Sequence, residues 1–166
     1  MQLIKLWEAD LKKAYDLFLT FEENENGFMN IAYGVSWEEF GCLVKKCKDS
    51  SLGIGLPKGY VPDTKYIFED DGQYVGIFNF RHYLTEGLKN GGGHIGYGIS
   101  KEFRKKGYAS KGLGLLIDTV KDVIDEDEIY MSVYKNNVAS LKAQIKNGAY
   151  IHHEDEDHYY TRIIIR

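Results

Sequence analysis

The stretch His94–Lys111, HIGYGISKEFRKKGYASK, decides the fold and carries most of the chemical information in the chain. Its β-favouring run through Ser100 predicts a strand, and the apolar periodicity from Gly107 to about Val123 predicts a helix. A short basic turn joins the two. A glycine in such a turn lets a ligand approach the backbone closely, and the first N–H groups of a helix point at any anion that lies there. The turn therefore fits either a pyrophosphate site or a basic surface turn that caps a helix.

Strands and helices alternate on both sides of this stretch. The predicted strands cover residues 3–6, 66–69, 74–83, 94–99, 128–134, 150–153 and 158–165, and the predicted helices cover residues 11–21, 36–48, 107–123 and 138–146. Residues 49–64, with both prolines, predict a long loop of the kind that lines binding sites. The order predicts an α/β fold with a central mixed, mostly antiparallel sheet flanked by helices, in a single domain over residues 1–166. A right-handed parallel crossover is expected between His94 and Tyr134.

The composition is that of a soluble globular protein, with 43% hydrophobic and 28% charged residues. The net charge of −4 gives no reason to expect nucleic acid as a partner, and it is compatible with a cationic substrate such as an amine. No apolar run approaches the ~20 residues that span a bilayer, and no signal peptide is visible, so we expect a cytoplasmic protein without a membrane partner. Cys42 and Cys47 lie five residues apart in one predicted helix, which favours neither a disulfide nor a metal clip.

Two motifs resemble the signatures of one enzyme family. Arg104–Ala109 (RKKGYA) matches Arg/Gln-x-x-Gly-x-Gly/Ala, the acetyl-CoA signature of the GNAT superfamily of N-acetyltransferases, at a strand-to-helix junction. Asn137–Ser140 and then Lys146–Ala149 resemble the second signature, an Asn followed three residues later by Ser or Ala, with Lys-x-Gly and an apolar residue closing the helix. The resemblance covers residues 65–165, and more loosely the two N-terminal helices.

The resemblance implies a GNAT-like acyl-CoA N-acyltransferase fold, with acetyl-CoA as cosubstrate, no metal, and direct attack of an amine-bearing acceptor on the thioester. The pantetheine arm is expected along the strand and the pyrophosphate on the N–H groups of the basic turn. The implied cofactor-binding residues are Tyr97, Gly98, Ile99, Arg104, Lys105, Lys106, Gly107, Tyr108, Ala109, Asn137 and Ser140. The acceptor is expected between the second helix, the loop 49–64 and the loop 84–93. Dimers are common in the superfamily, so the resemblance allows a homodimer.

Two histidines are candidates for the catalytic base. Amide formation requires a neutral amine, and an alkyl ammonium titrates near ~10.4, so a base or a proton relay must remove a proton. Many family members carry a Glu where this chain has His94, and an imidazole could accept the proton directly or through water. The alternative is a histidine held at a strand edge by a hydrogen bond. His82 is the second candidate, and only one of Arg81 and His82 can face the cleft, because successive strand residues face opposite sides.

The general acid is open at the level of the sequence. Family members with an acid Tyr carry it seven residues after the Asn, where this chain has Gln144, which cannot act as an acid. Tyr97, Tyr134 or water could protonate the thiolate instead. The loss of the usual Tyr also leaves an alternative of another class, a non-catalytic acyl-CoA sensor or interaction module.

Three further patterns have simpler explanations. Residues 91–96 match the dinucleotide fingerprint G-x-G-x-x-G, but they lead into a strand, so this interpretation is rejected. Residues 152–158 are rich in His, Asp and Glu, yet at the tip of a predicted hairpin they fit a solvated charged turn better than a metal site. Trp37 and Phe40 could line the acceptor site, although such residues more often belong to the core.

Overall fold

The computed structural model describes residues 1–166 and contains nine strands and five α-helices. The strands are β1 (Gln2–Lys5), β2 (Asn24–Glu25), β3 (Phe28–Met29), β4 (Asp63–Asp70), β5 (Gln73–Arg81), β6 (Ile95–Ile99), β7 (Glu128–Tyr134), β8 (Tyr150–Glu154) and β9 (His158–Ile164). The helices are α1 (Leu11–Phe18), α2 (Trp37–Ser51), α3 (Glu86–Lys89), α4 (Tyr108–Val120) and α5 (Val138–Lys146). None of these helices is both long and apolar enough to cross a membrane.

The predicted α/β class with a mostly antiparallel sheet is confirmed, but the strands form two main sheets. Their orders are β1-β4-β5-β6 and β7-β9-β8, and β2 and β3 form a separate hairpin beside β6. The predicted parallel pairing of β6 with β7 is wrong, because an isolated antiparallel bridge between Gly93 and Met131 takes its place. At Gly93 a Cβ atom would lie 2.1 Å from the Tyr130 carbonyl oxygen. The glycine therefore lets the two backbones touch at one point, and no ladder continues from it.

Helices α1, α2 and α5 start at residues that cap them. The Asp10 side chain accepts a backbone N–H at 2.9 Å at the start of α1. In the predicted capping box of α2, the Glu39 carboxylate accepts the Ser36 N–H at 3.0 Å. At the start of α5, the Asn137 side chain accepts the Ser140 N–H at 3.2 Å. These bonds satisfy N–H groups that a helix leaves free at its N-terminus, which explains where each helix begins.

The first sheet has an apolar core on each face. Because alternate strand residues point to opposite faces, Phe68 and Phe78 pack on the side of α4, and Ile67 and Ile77 pack on the side of α1 and α2. Helix α4 lies very close to the sheet, since a Cβ atom on Gly112 would lie 2.4 Å from Phe78 Cζ. This packing fixes the N-terminal end of α4, and with it the basic turn, beside the end of β6.

Some boundaries differ from the sequence predictions. Helix α2 runs to Ser51, beyond its predicted end, and β4 starts at Asp63 instead of Tyr66. The predicted 49–64 loop is thereby shortened to residues 52–62. The added residues 63–65 of β4 pair with the end of β5 in the backbone ladder, and their polar side chains made the segment resemble a loop. Helix α3 and the hairpin β2–β3 are absent from the sequence prediction, because such short elements show no hydrophobic period.

Candidate active site

The basic turn between β6 and α4 presents a row of backbone donors. The N–H groups of residues 105–110 donate to no acceptor in the protein, and no side chain caps α4. Lys105 and Gly107 adopt left-handed φ angles of 62° and 81°. Left-handed residues in such a turn form backbone nests, whose N–H groups bind anions. The turn therefore has the donors that a pyrophosphate requires.

The basic side chains of the turn divide into two groups. Arg104 binds within the protein, because its Nε donates to the Ile99 carbonyl at 2.9 Å and its Nη2 forms an ion pair with Glu25 of the hairpin β2–β3. Burial alone would raise the pKa of Glu25, but hydrogen bonds from Arg104 and a backbone N–H lower it overall. Lys105 and Lys106 are exposed. Of the three cations, the two lysines are therefore the ones with side chains available to a phosphate.

The edge of β6 that faces β7 offers unpaired backbone groups. On its other edge, the His94 carbonyl accepts the Arg81 N–H at 2.8 Å, and the Ser100 N–H donates to the Val75 carbonyl at 3.0 Å. In an antiparallel ladder such residues alternate with residues whose N–H and C=O groups point away from the partner strand. The residues that point away are Ile95, Tyr97 and Ile99, and of their carbonyl groups only that of Ile99 has a partner, Arg104 Nε. A ligand with amide groups can pair with this edge as an added strand does.

Tyr97 connects β6 to α5. Its ring stacks on Phe78 with the centroids 5.2 Å apart, and its hydroxyl lies 2.8 Å from Ser140 Oγ. Burial raises the pKa of Tyr97, against hydrogen bonds with Ser140 and Gln144, so the phenol keeps its proton at neutral pH. Asn137 caps the helix that carries Ser140. The structure thus brings together three residues that the sequence singles out, at the unpaired edge of β6.

Three other residues singled out by the sequence have structural contacts. Gln144 is buried and accepts the Thr161 hydroxyl at 2.7 Å. Tyr134, the other candidate acid, packs on His158 with ring centroids 4.2 Å apart. Gly98 pairs with β5 through its backbone, and a Cβ atom there would lie 2.9 Å from an aromatic ring. Gly98 therefore permits close packing on one face of β6 and does not belong to the unpaired edge.

His94 is fully buried, and both of its ring nitrogens have partners. Nδ1 accepts the Tyr130 N–H at 3.0 Å, and Nε2 lies 3.3 Å from Glu126 Oε2. Burial lowers the pKa of His94, against the attraction of Glu126, so the ring is neutral. A neutral imidazole has one lone pair, and here a backbone N–H uses it. The geometry thus disagrees with the expected base role and favours the alternative, a histidine held at the strand edge.

Arg81, and not His82, faces the cleft on the α1 and α2 side of the sheet. His82 Nε2 lies 2.7 Å from Thr64 Oγ1, and its ring stacks on Phe80 with the centroids 5.4 Å apart. Burial lowers the pKa of His82, against the attraction of Asp63. His82 is therefore a half-buried neutral imidazole whose Nδ1 has no hydrogen-bond partner in the protein.

A cleft of about 910 Å³ opens between the first sheet, the end of α2 and the loop 52–62. Its polar floor consists of two cross-strand pairs, Asp63 with Arg81 and Lys65 with Asn79. Its apolar wall includes Phe28, Met29, Ile31, Ile54, Leu56 and Tyr60. The cleft lies in the region that the sequence predicts for the acceptor.

Two other patterns from the sequence lie outside this cleft. Phe40 is fully buried in the core, and Trp37 packs against it without lining the cleft. The 152–158 run lies on the exposed hairpin β8–β9, where hydrogen bonds from Tyr160 and backbone N–H groups lower the pKa of Asp155 to about 2. No group of three or more His, Cys, Asp or Glu side chains is arranged to hold a metal ion.

Sequence reasoning missed three residues of the cleft floor, Asp63, Lys65 and Asn79. Asp63 and Lys65 come shortly after two prolines, and from the sequence such polar residues look like the end of the loop and not like the start of a strand. Asn79 does carry a signal, since it and Arg81 are the polar members of the otherwise apolar run from Val75 to Arg81 and are two residues apart. That period places both side chains on one face.

The fold and the site together point to a group-transfer enzyme that binds an anionic coenzyme beside an acceptor cleft. The model of the acetyltransferase (GNAT) domain family matches residues 57–150, more than half of the chain. The chain therefore belongs to the GNAT acetyltransferase family. It is an acetyl-CoA-dependent acyltransferase, with acetyl-CoA as its cosubstrate.

Solved structures of acetyltransferases share the fold. Campylobacter jejuni N-acetyltransferase PseH in complex with acetyl coenzyme A is 18% identical, with a TM-score of 0.65 over 98% of this chain and 97% of PseH. RimL, a ribosomal L7/L12 alpha-N-protein acetyltransferase in complex with coenzyme A, is 18% identical, with a TM-score of 0.70 over 98% and 92%. Vibrio cholerae spermidine N-acetyltransferase in complex with CoA and spermine is 15% identical, with a TM-score of 0.63 over 98% and 94%. No curated protein matches the chain in sequence.

Proposed function

We propose that this protein transfers the acetyl group of acetyl-CoA to a primary amine by direct attack in a ternary complex. The observation that carries the proposal is the row of free N–H groups at residues 105–110, directly after the unpaired edge of β6. The similar structures support an amine as acceptor, since one is a spermidine N-acetyltransferase and another an alpha-N-protein acetyltransferase. A cytoplasmic location, a single domain and a homodimer stay predictions of the sequence and its family resemblance.

The residues present fit acetyl-CoA at both ends. The backbone of residues 105–110 would hold the pyrophosphate, with the Lys105 and Lys106 side chains within the same turn. The unpaired edge of β6 would hold the pantetheine amides, with Asn137 and Ser140 near the thioester. The N–H groups of residues 105–110 have no other partner, so binding of the pyrophosphate there breaks no hydrogen bond of the protein. Bound acetyl-CoA supplies an acyl group that is already activated as a thioester.

The reaction forms one N–C bond and breaks one C–S bond, while one proton leaves the amine and one proton reaches the sulfur. Tyr97 is the proposed source of the second proton, because its hydroxyl lies beside Ser140 at the unpaired edge and keeps its proton at neutral pH. His82 does not line the cleft, and its ring packs on Phe80 on the other face of the sheet, so we assign the removal of the amine proton to water in the cleft. His94 instead positions β6 against β7, through Tyr130 and Glu126.

The placement of the cofactor is tested by titration calorimetry with a matched pair of variants, Gly107→Asp and Gly107→Asn. Asn and Asp both tolerate the left-handed φ of Gly107 and differ mainly in charge. A carboxylate beside a bound phosphate should weaken acetyl-CoA binding at least ~5-fold relative to the Asn variant. Equal affinities of the two folded variants would remove the pyrophosphate from this turn.

Catalysis is tested separately by thiol release in the presence of amines. Amine-dependent release, with the acetylated amine identified by mass spectrometry, is the expected result. Tight acetyl-CoA binding without amine-dependent release would indicate the alternative of a non-catalytic acyl-CoA sensor.

A further inference from the structure

The lining of the acceptor cleft has more positive than negative charge. Its lining residues include three cations and two anions, although the whole chain has a net charge of −4. The charged lining residues are Lys46, Asp49, Asp63, Lys65 and Arg81. Because a low-dielectric wall strengthens the field inside a cleft, this local excess acts on any bound molecule.

The carboxylate of this floor is already satisfied. Asp63 forms an ion pair with Lys65, and its Oδ1 accepts the Ser50 hydroxyl at 2.8 Å. Both members of the ion pair are largely buried, with 17% and 15% of the side chains exposed. Asp63 is therefore a poor partner for a further cation, since its oxygens already bind a charged and a neutral donor.

Arg81 has no carboxylate partner of its own. Its Nη1 donates to the Gly93 carbonyl at 2.9 Å, and no ion pair involves it. Gly92 packs on the guanidinium, since a Cβ atom there would lie 3.4 Å from Nη1. Lys65 stands diagonally across the two strands, at a separation of about 7–8 Å that long side chains can close. Because an ammonium has three donors, Lys65 keeps donors beyond its ion pair with Asp63, and an oxyanion in the cleft can reach both cations.

The side chain of Asn79 offers a hydrogen-bond acceptor that no donor in the protein uses. Its Oδ1 is buried and is the one buried side-chain oxygen or nitrogen atom that lacks a hydrogen-bond partner. Asn79 pairs across the ladder with Gly96 of β6, and a Cβ atom on Gly96 would meet nothing within 4 Å. The space in front of Gly96 is therefore open, and a ligand can reach Asn79 through it. Gly96 belongs to β6, whose other edge would hold the pantetheine.

We propose that the acceptor is an amine that also carries an oxyanion, a carboxylate or a phosphate, with its nitrogen at Asn79 Oδ1 and its oxyanion between Arg81 and Lys65. This rests on the transfer reaction proposed above. An N–H of the acceptor satisfies the one buried carbonyl oxygen that has no partner, and the oxyanion neutralises the guanidinium. The apolar wall of the cleft accommodates a hydrocarbon part of the same molecule. A polyamine fits poorly, because its second cation would face Arg81.

The experiment compares matched amines that differ in the oxyanion. L-phenylalanine is paired with 2-phenylethylamine, and glucosamine 6-phosphate is paired with glucosamine, so that the two arms separate a carboxylate from a phosphate. Spermidine is the cationic comparison. Binding to the protein is measured by saturation-transfer NMR, and transfer by thiol release. Within at least one pair, the member that carries the oxyanion should bind and react at least ~10-fold better than the member that lacks it.

Variants assign that preference to the cleft. Lys65→Gln should remove most of the preference for the amine that carries the oxyanion, and Lys65→Arg should restore it. A purely structural role of Lys65 would instead affect both amines of a pair equally. Lys45→Gln is the matched control, since it removes one cation from the exposed face of α2 outside the cleft. Equal or better binding of spermidine, or of the amines that lack an oxyanion, would overturn the proposal, as would no binding by any member. Amine acetylation of any kind, even without this preference, would still support the proposed function.

Discussion

Replacement of Asn79 by Leu should make the protein more stable and less active. The Asn79 carbonyl oxygen is buried without a partner, and such a group costs about 1–3 kcal/mol of folding free energy. Leu has a similar shape without the polar atom, so the variant should recover that free energy. For a chain of this length, each kcal/mol changes the melting temperature by about 2–4 °C, so the melting temperature should rise by about 2–12 °C.

The same replacement removes the proposed partner of the acceptor nitrogen. A hydrogen bond to an amine or ammonium contributes about 1.5–3 kcal/mol, so kcat/KM for the acceptor should fall about 10- to 100-fold. Acetyl-CoA affinity should stay unchanged, because Asn79 lies on the cleft side of the sheet and away from the basic turn. A loss of activity combined with a gain in stability is the signature of a group that is kept for function.

Differential scanning calorimetry measures the first effect, and thiol release at varied acceptor concentration measures the second. Asn79→Asp is the matched control for shape, since it keeps an acceptor oxygen at the same place. A Leu variant that is less stable than the wild type would show that Asn79 has a structural partner after all. A more stable variant with unchanged kcat/KM would place the acceptor nitrogen elsewhere.

Three further predictions follow from the site and its supports. If Tyr97 is the acid, Tyr97→Phe should lower the rate constant of single-turnover thiol release about 10²- to 10⁴-fold, and Tyr134→Phe should leave it unchanged. Equal effects of the two replacements would exclude Tyr97 from this role. Burial lowers the pKa of His94 below its ordinary value of 6.5, so only the unfolded chain gains this proton as the pH falls below 6.5. The free energy of unfolding should therefore fall by up to ~1.4 kcal/mol per pH unit, and His94→Gln should flatten that slope in urea titrations. Gly112→Ala should destabilise the protein by about 1–3 kcal/mol in the same titrations, because its Cβ would lie 2.4 Å from Phe78 Cζ; an unchanged midpoint would mean that the ring moves aside.

The regular parts of the fold follow from local patterns. Strand β7 and helix α5 begin and end at the predicted residues, because both have clear hydrophobic periods and α5 has Asn137 and Asn147 at its two ends. The hairpin turn at Asp71-Gly72 was equally visible, since both residues adopt left-handed φ angles that these residue types tolerate. The separation of the two sheets was not visible, because it depends on a contact of Gly93 with Met131, which lies far along the chain in β7.

The site was predictable where it consists of backbone and hidden where it consists of side-chain partners. The row of N–H groups at residues 105–110 follows from a glycine-containing turn before a helix, which a sequence shows directly. The engagement of both His94 nitrogens depends on Tyr130 and Glu126, which lie more than 30 residues away. A histidine in a strand looks the same in the sequence whether its lone pair is free or used. Only the folded structure distinguishes the two cases.

The charges of the cleft also bear on how the amine loses its proton. An alkyl ammonium titrates near ~10.4 in water, so at neutral pH the reactive neutral amine is a small fraction. Arg81 and Lys65 on the cleft floor disfavour a further positive charge, which lowers the pKa of an amine bound beside them. An oxyanion on the acceptor would weaken this lowering of the amine pKa. It would also hold the nitrogen at Asn79, one strand away from the proposed position of the thioester. The same two cations can therefore select the acceptor and ease its deprotonation, so that water can serve as the proton acceptor.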